Sequence, residues 1–332
     1  MKNILFLLPF IYANSFSQQI KIINSGTKTS LRGLSVVDDK VIWASGSNGF
    51  VGKSINSGNA WQWIQVKGFE KRDFRDIEAF DENIAVIIAV DTPGYILRTI
   101  DGGETWKAVY ENDTKGMFLD AMEFWNEQSG IVIGDPINNK FFIARTFNGG
   151  NTWQTLPENK YPLADSGEAC FAASGTNIRA FGTDAACFVT GGLHSRLFIK
   201  DKIVDLPITQ GKETTGANSV ALKDKKIIIA VGGDFTDPKS KYKNCVISKD
   251  EGKTWAYPSV PPNGYRSCVE YLGKNYWITC GLNGADITND NGYTWKTISA
   301  ESFNVCRKAK KGKAVFFAGN KGMIGKLSAP EL

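Results

Sequence analysis

Five copies of one eight-residue pattern constrain the fold of this chain more than any other sequence feature. The pattern reads Ser/Thr-x-Asp/Asn-x-Gly-x-Thr-Trp, with Ala60 in place of Thr in the first copy, and the copies occupy residues 54–61, 99–106, 146–153, 248–255 and 288–295. An Asp or Asn side chain there accepts hydrogen bonds from backbone N–H groups of a turn, and Gly tolerates positive φ. We therefore predict a hairpin at each copy, within a repeated unit of four strands.

A second set of similar segments precedes the hairpins and gives an independent count of the repeats. These segments occupy residues 31–34, 74–77, 118–121, 167–170, 216–219, 265–268 and 303–306. Each has the apolar character of a strand that lies next to a central axis. The sequence thus predicts an all-β, seven-bladed β-propeller of four-stranded antiparallel blades over residues 18–332.

Two blades depart from the repeat. Blade four has no eight-residue pattern and ends in the segment 198–203, and blade seven stops after residue 327 without an outer strand. An additional apolar segment, residues 20–23, resembles the outer strands at 106–109 and 295–298. We predict that this N-terminal strand completes the last blade and closes the ring, because closure removes exposed strand edges.

The first 17 residues have the features of a signal peptide. Lys2 precedes an apolar stretch at 4–11, and Ser15-Phe16-Ser17 is a small-x-small cleavage site. Removing this segment removes one cation and no acid, so the formal charge falls from +5 to +4. We expect a secreted or periplasmic protein without a membrane span and without affinity for nucleic acid, since the basic residues form no stripe.

The six cysteines show no CxxC spacing, which argues against a zinc or redox motif. Cys170, Cys268 and Cys306 fall at one repeat position on the predicted inner strands, where a small apolar side chain packs well. We therefore predict structural cysteines. A disulfide between Cys268 and Cys280 is the less favoured alternative, because geometry decides pairing.

The repeated pattern resembles the Asp-box (BNR) repeat of a propeller group that includes sialidases, sortilin-type receptors and the photosystem II assembly and stability factor family. The likeness covers nearly all of residues 18–332. Segments 73–80, 134–136, 167–176, 190–192 and 231–234 are similar to bacterial proteins related to the last family. The resemblance implies that the boxes are turns on the outer rim with a structural role. Because the chain has no GxGxxG or other cofactor motif, we predict no cofactor and no metal site.

Candidate site residues come from the propeller face that carries the starts of inner strands and the loops after second strands. The polar residues selected there are Arg32, Arg75, Asp76, Asp120, Asp135, Glu168, Asn218, Asp234 and Arg266. The loops add Asp91, His194 and Asp237, although His194 is better interpreted as an ordinary turn residue. In one interpretation the arginines and acids pair across the channel wall, Arg75 with Asp120 and Arg32 or Arg266 with neighbouring acids. In the other, the arginines form a pocket for a carboxylate or another anion.

Two functions fit these residues. In the first, a single chain acts as a binding or assembly scaffold in the cell envelope and holds a protein segment, an anionic small molecule or a carbohydrate. In the second, Asp76, Asp120, Asp135 and Glu168 serve a glycosidase-like enzyme. Tyr265 and Glu270 would suit sialidase chemistry, but the arginine motif of that family is incomplete at residues 31–34. An open, arginine-lined channel favours a ligand site, and a plugged channel favours a plain scaffold.

Overall fold

The fold is a ring of seven antiparallel sheets, described here for residues 19–328 by a computed structural model. The all-β, seven-bladed prediction is confirmed. The segment interpreted as a signal peptide lies outside the described residues. Two short 3-10 turns, Glu158–Lys160 and Asn320–Gly322, accompany the strands. Within residues 19–328, no helix has the length and apolar character needed to cross a membrane.

The first three blades follow one another as antiparallel meanders, with the first strand of each nearest the axis. Blade one contains β2 (Leu31–Val36), β3 (Ile42–Gly46), β4 (Phe50–Ser54) and β5 (Gln62–Gln65). Blade two contains β6 (Phe74–Ala79), β7 (Ala85–Ala89), β8 (Gly94–Thr99) and β9 (Lys107–Asn112). Blade three contains β10 (Leu119–Phe124), β11 (Gly130–Ile137), β12 (Lys140–Thr146) and β13 (Gln154–Thr155).

Blades four and five are joined by two short strands, β14 (Glu168–Ala169) and β17 (Gly191–Gly192). Blade four contains β15 (Ile178–Phe181), β16 (Ala185–Val189), β18 (Arg196–Ile199) and β19 (Lys202–Asp205). Blade five contains β20 (Thr215–Lys223), β21 (Ile227–Asp234) and β22 (Cys245–Ser248), and its outer position is a single bridge between Ile247 and Ala256.

The last two blades complete the ring. Blade six contains β23 (Cys268–Gly273), β24 (Tyr276–Gly281), β25 (Gly284–Thr288) and β26 (Lys296–Ser299). Blade seven contains β27 (Val305–Lys308), β28 (Val315–Ala318), β29 (Ile324–Leu327) and the N-terminal β1 (Ile20–Ile23). The segment 167–170 is therefore not the start of an inner strand: blade four begins ten residues later, at Ile178.

The hydrophobic core lies in the seams between neighbouring blades. The seam of blades one and two, for example, packs Trp43 and Val51 against Phe74, Ile87 and Leu97. All five residues of β7 are buried, because a middle strand in a stack of sheets is covered on both faces. Each blade therefore buries both of its apolar faces only when it lies between two other blades.

The five repeated segments form the predicted turns with one shared hydrogen-bond pattern. In the second copy the N–H of Thr105 donates to Asp101 Oδ1 at 3.0 Å, and the N–H of Gly103 donates to Thr99 Oγ1 at 3.0 Å. Gly103 has a φ of +90°, which only glycine adopts at low cost. The three hydrogen bonds from Thr105 and Thr99 lower the pKa of Asp101 to about 2. The Ser/Thr and Asp/Asn side chains of each turn thus accept hydrogen bonds from two of its own backbone N–H groups.

The N-terminal strand completes blade seven, as the sequence predicts. In β1, Ile20 lies opposite Leu327 and Ile23 lies opposite Ile324 in an antiparallel ladder with β29. The ladder extends by one further hydrogen bond, from the N–H of Ser328 to the carbonyl of Gln19, at 2.8 Å. The two ends of the described chain therefore hold each other, and the ring has no open seam.

Deleting residues 18–23 from the exported form tests this closure. The deletion removes a hydrogen-bonded strand and two half-buried isoleucines, and it exposes the edge of β29. We expect a loss of about 3 kcal/mol of folding free energy, seen as a drop in the thermal midpoint on the order of 5–10 °C. Lys21→Ala, which changes an exposed side chain of the same strand, is the control. An unchanged midpoint in the deletion variant would show that β1 is dispensable.

Candidate functional site

A β-bulge at the start of the inner strands determines which side chains reach the channel. In blades one, two, three and five the register shifts around one extra residue, and these residues are Arg32, Arg75, Asp120 and Asn218. A bulge redirects a side chain relative to a regular strand. We call this set of equivalent positions the bulge column. The four residues were all candidates from the sequence.

Arg266 does not belong to the bulge column, although the sequence alignment placed it there. In blade six Cys268 pairs with Cys280, and the N–H of Ser267 also donates to the carbonyl of Cys280 at 2.9 Å. Ser267 thus takes the bulge position, and Arg266 precedes it by one residue. Because a shift of one residue reverses the side of a strand, Arg266 points away from the channel.

Instead, Arg266 forms a buried ion pair inside blade six. Its side chain is 0 % exposed, and its Nε lies 2.8 Å from Asp286 Oδ2. Nη1 donates to Asn283 Oδ1 at 2.7 Å and to the carbonyl of Tyr265 at 2.8 Å. Of the two interpretations of the arginines, this geometry fits pairing with a neighbouring acid for Arg266 and leaves it no role in a ligand pocket.

Residues 170–177, which lead into β15, run through the middle of the channel; we call them the central plug. Contacts reach it from blades one, two, three, five, six and seven, made respectively by Arg32, Asp76, Asp135, Ser219, Ser267 and Arg307. Gly175 packs directly on Asp76: a Cβ there would lie 2.2 Å from the Asp76 carboxyl carbon. The plug leaves a separate cavity at each end of the channel.

The cavity at the bulge-column end has a volume of about 420 Å³, and we call it the arginine pocket. Its polar lining consists of Arg32, Arg75, Asp135, Asn218, Ser267 and Asn304. Four of these, Arg32, Arg75, Asp135 and Asn218, were chosen from the sequence. Ser267 was missed because the alignment of blade six was one residue out of register. Asn304, in blade seven, was missed because a short polar side chain gives no conspicuous signal.

Aromatic rings form much of the remaining wall of the arginine pocket: Phe118, Phe171, Phe235 and Tyr265. Phe235 stands edge-on to both Phe171 and Tyr265, with ring centroids 6.0 Å and 6.4 Å apart. The Tyr265 hydroxyl donates to Asn218 Oδ1 at 2.7 Å, which fixes both side chains. The cavity therefore combines cationic groups with rigid apolar surface.

Arg32 is the least compensated charge in the arginine pocket. Its one hydrogen bond is a long contact of 3.4 Å from Nη1 to the carbonyl of Ala173, and within residues 19–328 it forms no ion pair. Burial lowers its pKa and the positive charge of Arg75 lowers it further, while the negative charge of the nearby Asp73 acts in the opposite direction. Arg75 pairs through Nε with Asp73 Oδ2 at 2.8 Å and lies 5.7 Å from the ring centroid of Phe118. The expected pair of Arg75 with Asp120 is absent from the ion pairs of the described residues.

Asp135 supplies the negative group of this pocket. Its Oδ1 accepts the N–H of Cys170 at 2.9 Å, and burial raises its pKa to about 6. Asp120 lies fully buried behind it, where burial first and the charge of Asp135 second raise its pKa well above the usual range. Two neighbouring buried carboxyl groups do not ionise together at low cost. The pocket therefore loses negative charge as the pH falls toward 6.

The other acids chosen from the sequence are held elsewhere. Asp76 accepts the N–H groups of Ile77 and Met122, both at 2.8 Å, and burial raises its pKa to about 8. Glu168 is buried in an ion pair with Arg196 and also accepts a hydrogen bond from the Thr190 hydroxyl.

Asp76, Glu168 and Asp234 do not line the arginine pocket. Asp234 accepts the hydroxyl of Thr236 at 2.6 Å and lies 3.6 Å from Lys212 in a blade-five loop. The sequence had grouped Asp76, Glu168 and Asp234 with the arginines because all are near the same ends of strands. Side-chain direction separates them.

The remaining loop candidates are exposed turn residues. His194 Nδ1 lies 3.2 Å from Asp165 Oδ2 with its side chain 54 % exposed, which fits the interpretation as an ordinary turn residue. Asp91 and Asp237 are also exposed. Glu270, proposed to act with Tyr265, lies instead on the far side of the plug, where it pairs with Arg179 at 3.1 Å.

A second cavity of about 780 Å³ lies at that far end. Among its lining residues are those three positions after Arg32, Arg75, Asp120, Ser267 and Asn304, namely Ser35, Glu78, Glu123, Glu270 and Arg307. Arg179 and Arg307 each contact both Glu123 and Glu270, at 3.1–4.0 Å. This charged network was not predicted from the sequence, although polar residues recurring three positions after the bulge position are a signal that could have indicated it.

Comparisons with known proteins support the architecture. No protein-family model and no curated protein matches the chain by sequence. Among solved structures, YCF48 bound to D1 peptide is similar at a TM-score of 0.66 and 16 % identity, covering 94 % of this chain and 97 % of that one. YCF48 from Cyanidioschyzon merolae gives a TM-score of 0.66 and 15 % identity, covering 93 % and 98 %. The WD40 propeller domain of Doa1 gives 0.63 and 12 %, covering 95 % and 97 %.

The different roles of two arginines can be tested by thermal unfolding. Arg266→Ala leaves the buried carboxylate of Asp286 without its cation, so we expect a loss of about 3–5 kcal/mol and a midpoint lower by on the order of 10 °C. Arg32→Ala is the matched control and should change the midpoint little, because Arg32 makes no ion pair among the described residues. Equal losses in the two variants would contradict this assignment.

Proposed function

We propose that this protein is an exported, single-chain binding propeller that holds a segment of another protein through an anionic group in the arginine pocket. Export is supported by the features of residues 1–17. The pocket is supported by the convergence of Arg32 and Arg75 from two blades onto one cavity. An anionic small molecule or an acidic carbohydrate would use the same two cations.

The observation that carries the proposal is the half-buried Arg32 guanidinium without a carboxylate partner in the described chain. A desolvated cation is costly unless it is paired and hydrogen-bonded. A ligand carboxylate or phosphate would supply both, since guanidinium groups bind such anions with two parallel hydrogen bonds. Arg75, held by Asp73 through Nε, leaves its terminal nitrogens for the same ligand.

The aromatic wall favours a peptide over a bare inorganic anion. Phe118, Phe171, Phe235 and Tyr265 offer contact area to an apolar side chain next to the anionic group. A volume of about 420 Å³ suits one or two side chains rather than a whole folded partner. A short peptide segment that carries a carboxylate beside an apolar residue fits both features.

The structural comparison is consistent with this mode of binding. YCF48, which shares the propeller fold, has been solved bound to D1 peptide. At 16 % identity the likeness extends to the fold, and the transfer of peptide binding to this chain is our proposal.

The geometry favours binding over glycosidase chemistry. An acid and a base acting on one glycosidic bond must flank it. Of the four acids considered for that role, only Asp135 lines the arginine pocket. Asp76 lies against the plug, and Glu168 is paired with Arg196.

Selection from a displayed peptide library, followed by binding measurements on the enriched peptides, tests the proposal. We expect enrichment of peptides with a carboxylate near an apolar residue. Arg32→Ala and Arg75→Ala should each weaken binding by roughly 10- to 100-fold, the usual value of a charge-assisted hydrogen bond. Lys296→Ala, on the exposed outer strand of blade six, is the control. Enriched peptides that bind the double arginine variant as tightly as the parent protein would contradict the proposal.

The pH dependence of binding provides a separate test. Asp135 has a pKa raised to about 6 and is ionised above that pH, where its charge opposes an anionic ligand. Affinity for an acidic peptide should therefore rise roughly tenfold as the pH falls from 8 to 5. Asp135→Asn keeps an oxygen acceptor for the Cys170 N–H and should bind with little pH dependence, at the affinity that the parent protein reaches at pH 5. An identical pH profile in this variant would show that Asp135 does not control binding.

A further inference from the structure

Three cysteine side chains meet in the seam of blades six and seven. Cys268 in β23, Cys280 in β24 and Cys306 in β27 are fully buried, and their sulfur atoms all lie within 4.8 Å of one another. Cys306 Sγ and Cys268 Sγ are 3.6 Å apart. Two of these residues oppose each other across one sheet, and the third comes from the next blade. All six cysteines of the chain have free thiols, so no disulfide joins Cys268 to Cys280.

The three sulfur atoms, all within 4.8 Å of one another and one pair at 3.6 Å, are close enough to ligate a single ion after small side-chain shifts. With metal–sulfur distances of about 2.3 Å, three ligands around one ion lie about 3.8–4.0 Å from each other. Three sulfur atoms from three strands of two blades therefore lie around one point. The Cys268 thiol donates to the carbonyl of Cys306 at 3.3 Å, and the N–H of Cys306 donates to Cys268 Sγ at 3.4 Å. The second hydrogen bond stabilises the thiolate once a metal ion replaces the thiol proton.

The missing fourth ligand decides which ion fits. The His, Cys, Asp and Glu residues of the described chain that could ligate at this point are the three cysteines alone. The surroundings are apolar, with Phe303, Phe317 and Leu34 in the same cluster. Structural zinc is almost always four-coordinate. A dry site of three soft sulfur ligands instead suits a soft monovalent ion.

We propose that Cys268, Cys280 and Cys306 bind one Cu(I) ion, which joins the inner strands of blades six and seven. Three Cu–S bonds form, the thiol protons pass to solvent and no electron is transferred. No metal site was predicted from the sequence, because the three cysteines are distant in sequence and have no ligand spacing. The site is separate from the arginine pocket, and its role is to stabilise the seam next to the blade that β1 closes.

Cu(I) titration of the reduced protein without oxygen, against a competing Cu(I) chelator, tests this inference. Copper is supplied both to the folded protein and during refolding, so that slow entry into a sealed seam does not hide binding. We expect one ion per chain, three sulfur ligands at about 2.3 Å by X-ray absorption, and a thermal midpoint raised by on the order of 5 °C. Cys306→Ala should weaken binding by at least about 100-fold.

Cys187→Ala is the matched control, because Cys187 is equally buried but lies in β16, outside the cluster. It should bind copper as the parent protein does, while the apo midpoints of both variants show that each has folded. Three results would overturn the proposal: no copper retained under either condition, equal copper binding in Cys306→Ala, or four-coordinate zinc bound in preference to copper. A count of four free thiols in the protein as isolated would do the same, since it would indicate a disulfide.

Discussion

The structure depends on the packing of each sheet between two others. The middle strands are buried on both faces, as in β7, so a blade at an open end would expose an entire apolar face. Closure of the ring is therefore a condition for burying the core. The pairing of Ile20 with Leu327 and of Ile23 with Ile324 meets that condition by joining the two ends of the described chain.

Closure also creates an axis, and the groups on it form the arginine pocket that we propose as the binding site. Seven inner strands leave a channel that regular side chains do not fill, and the central plug occupies its middle. Arg32 makes a long contact of 3.4 Å with the plug at the carbonyl of Ala173, and Arg307 makes one of the same length at the carbonyl of Gly175. What remains is a pocket on one face with unpaired positive charge and a cavity on the other whose charges pair with each other.

Arg32 and Arg266 show that the repeat pattern of the sequence does not determine the direction of a side chain. Both follow an apolar residue near the start of an inner strand, and both fit the same repeat alignment. One residue of register separates them, and the result is a half-buried cation facing a cavity in one case and a sealed ion pair with Asp286 in the other. The start of blade four was misplaced for a related reason: the segment 167–170 has the composition of an inner strand but pairs with Gly191–Gly192.

The sequence by itself determined the fold class, the number of blades, the five outer turns and the strand that closes the ring. These features depend on contacts within a repeat, or on repetition itself, and so they are visible as periodic residues such as Asp101 and Thr105. Only the tertiary structure decided which polar residues share a cavity, that residues 170–177 plug the channel, and that three distant cysteines meet. The physical reason is that these groups come from different blades, and their meeting depends on bulges, register and the shape of the closed ring.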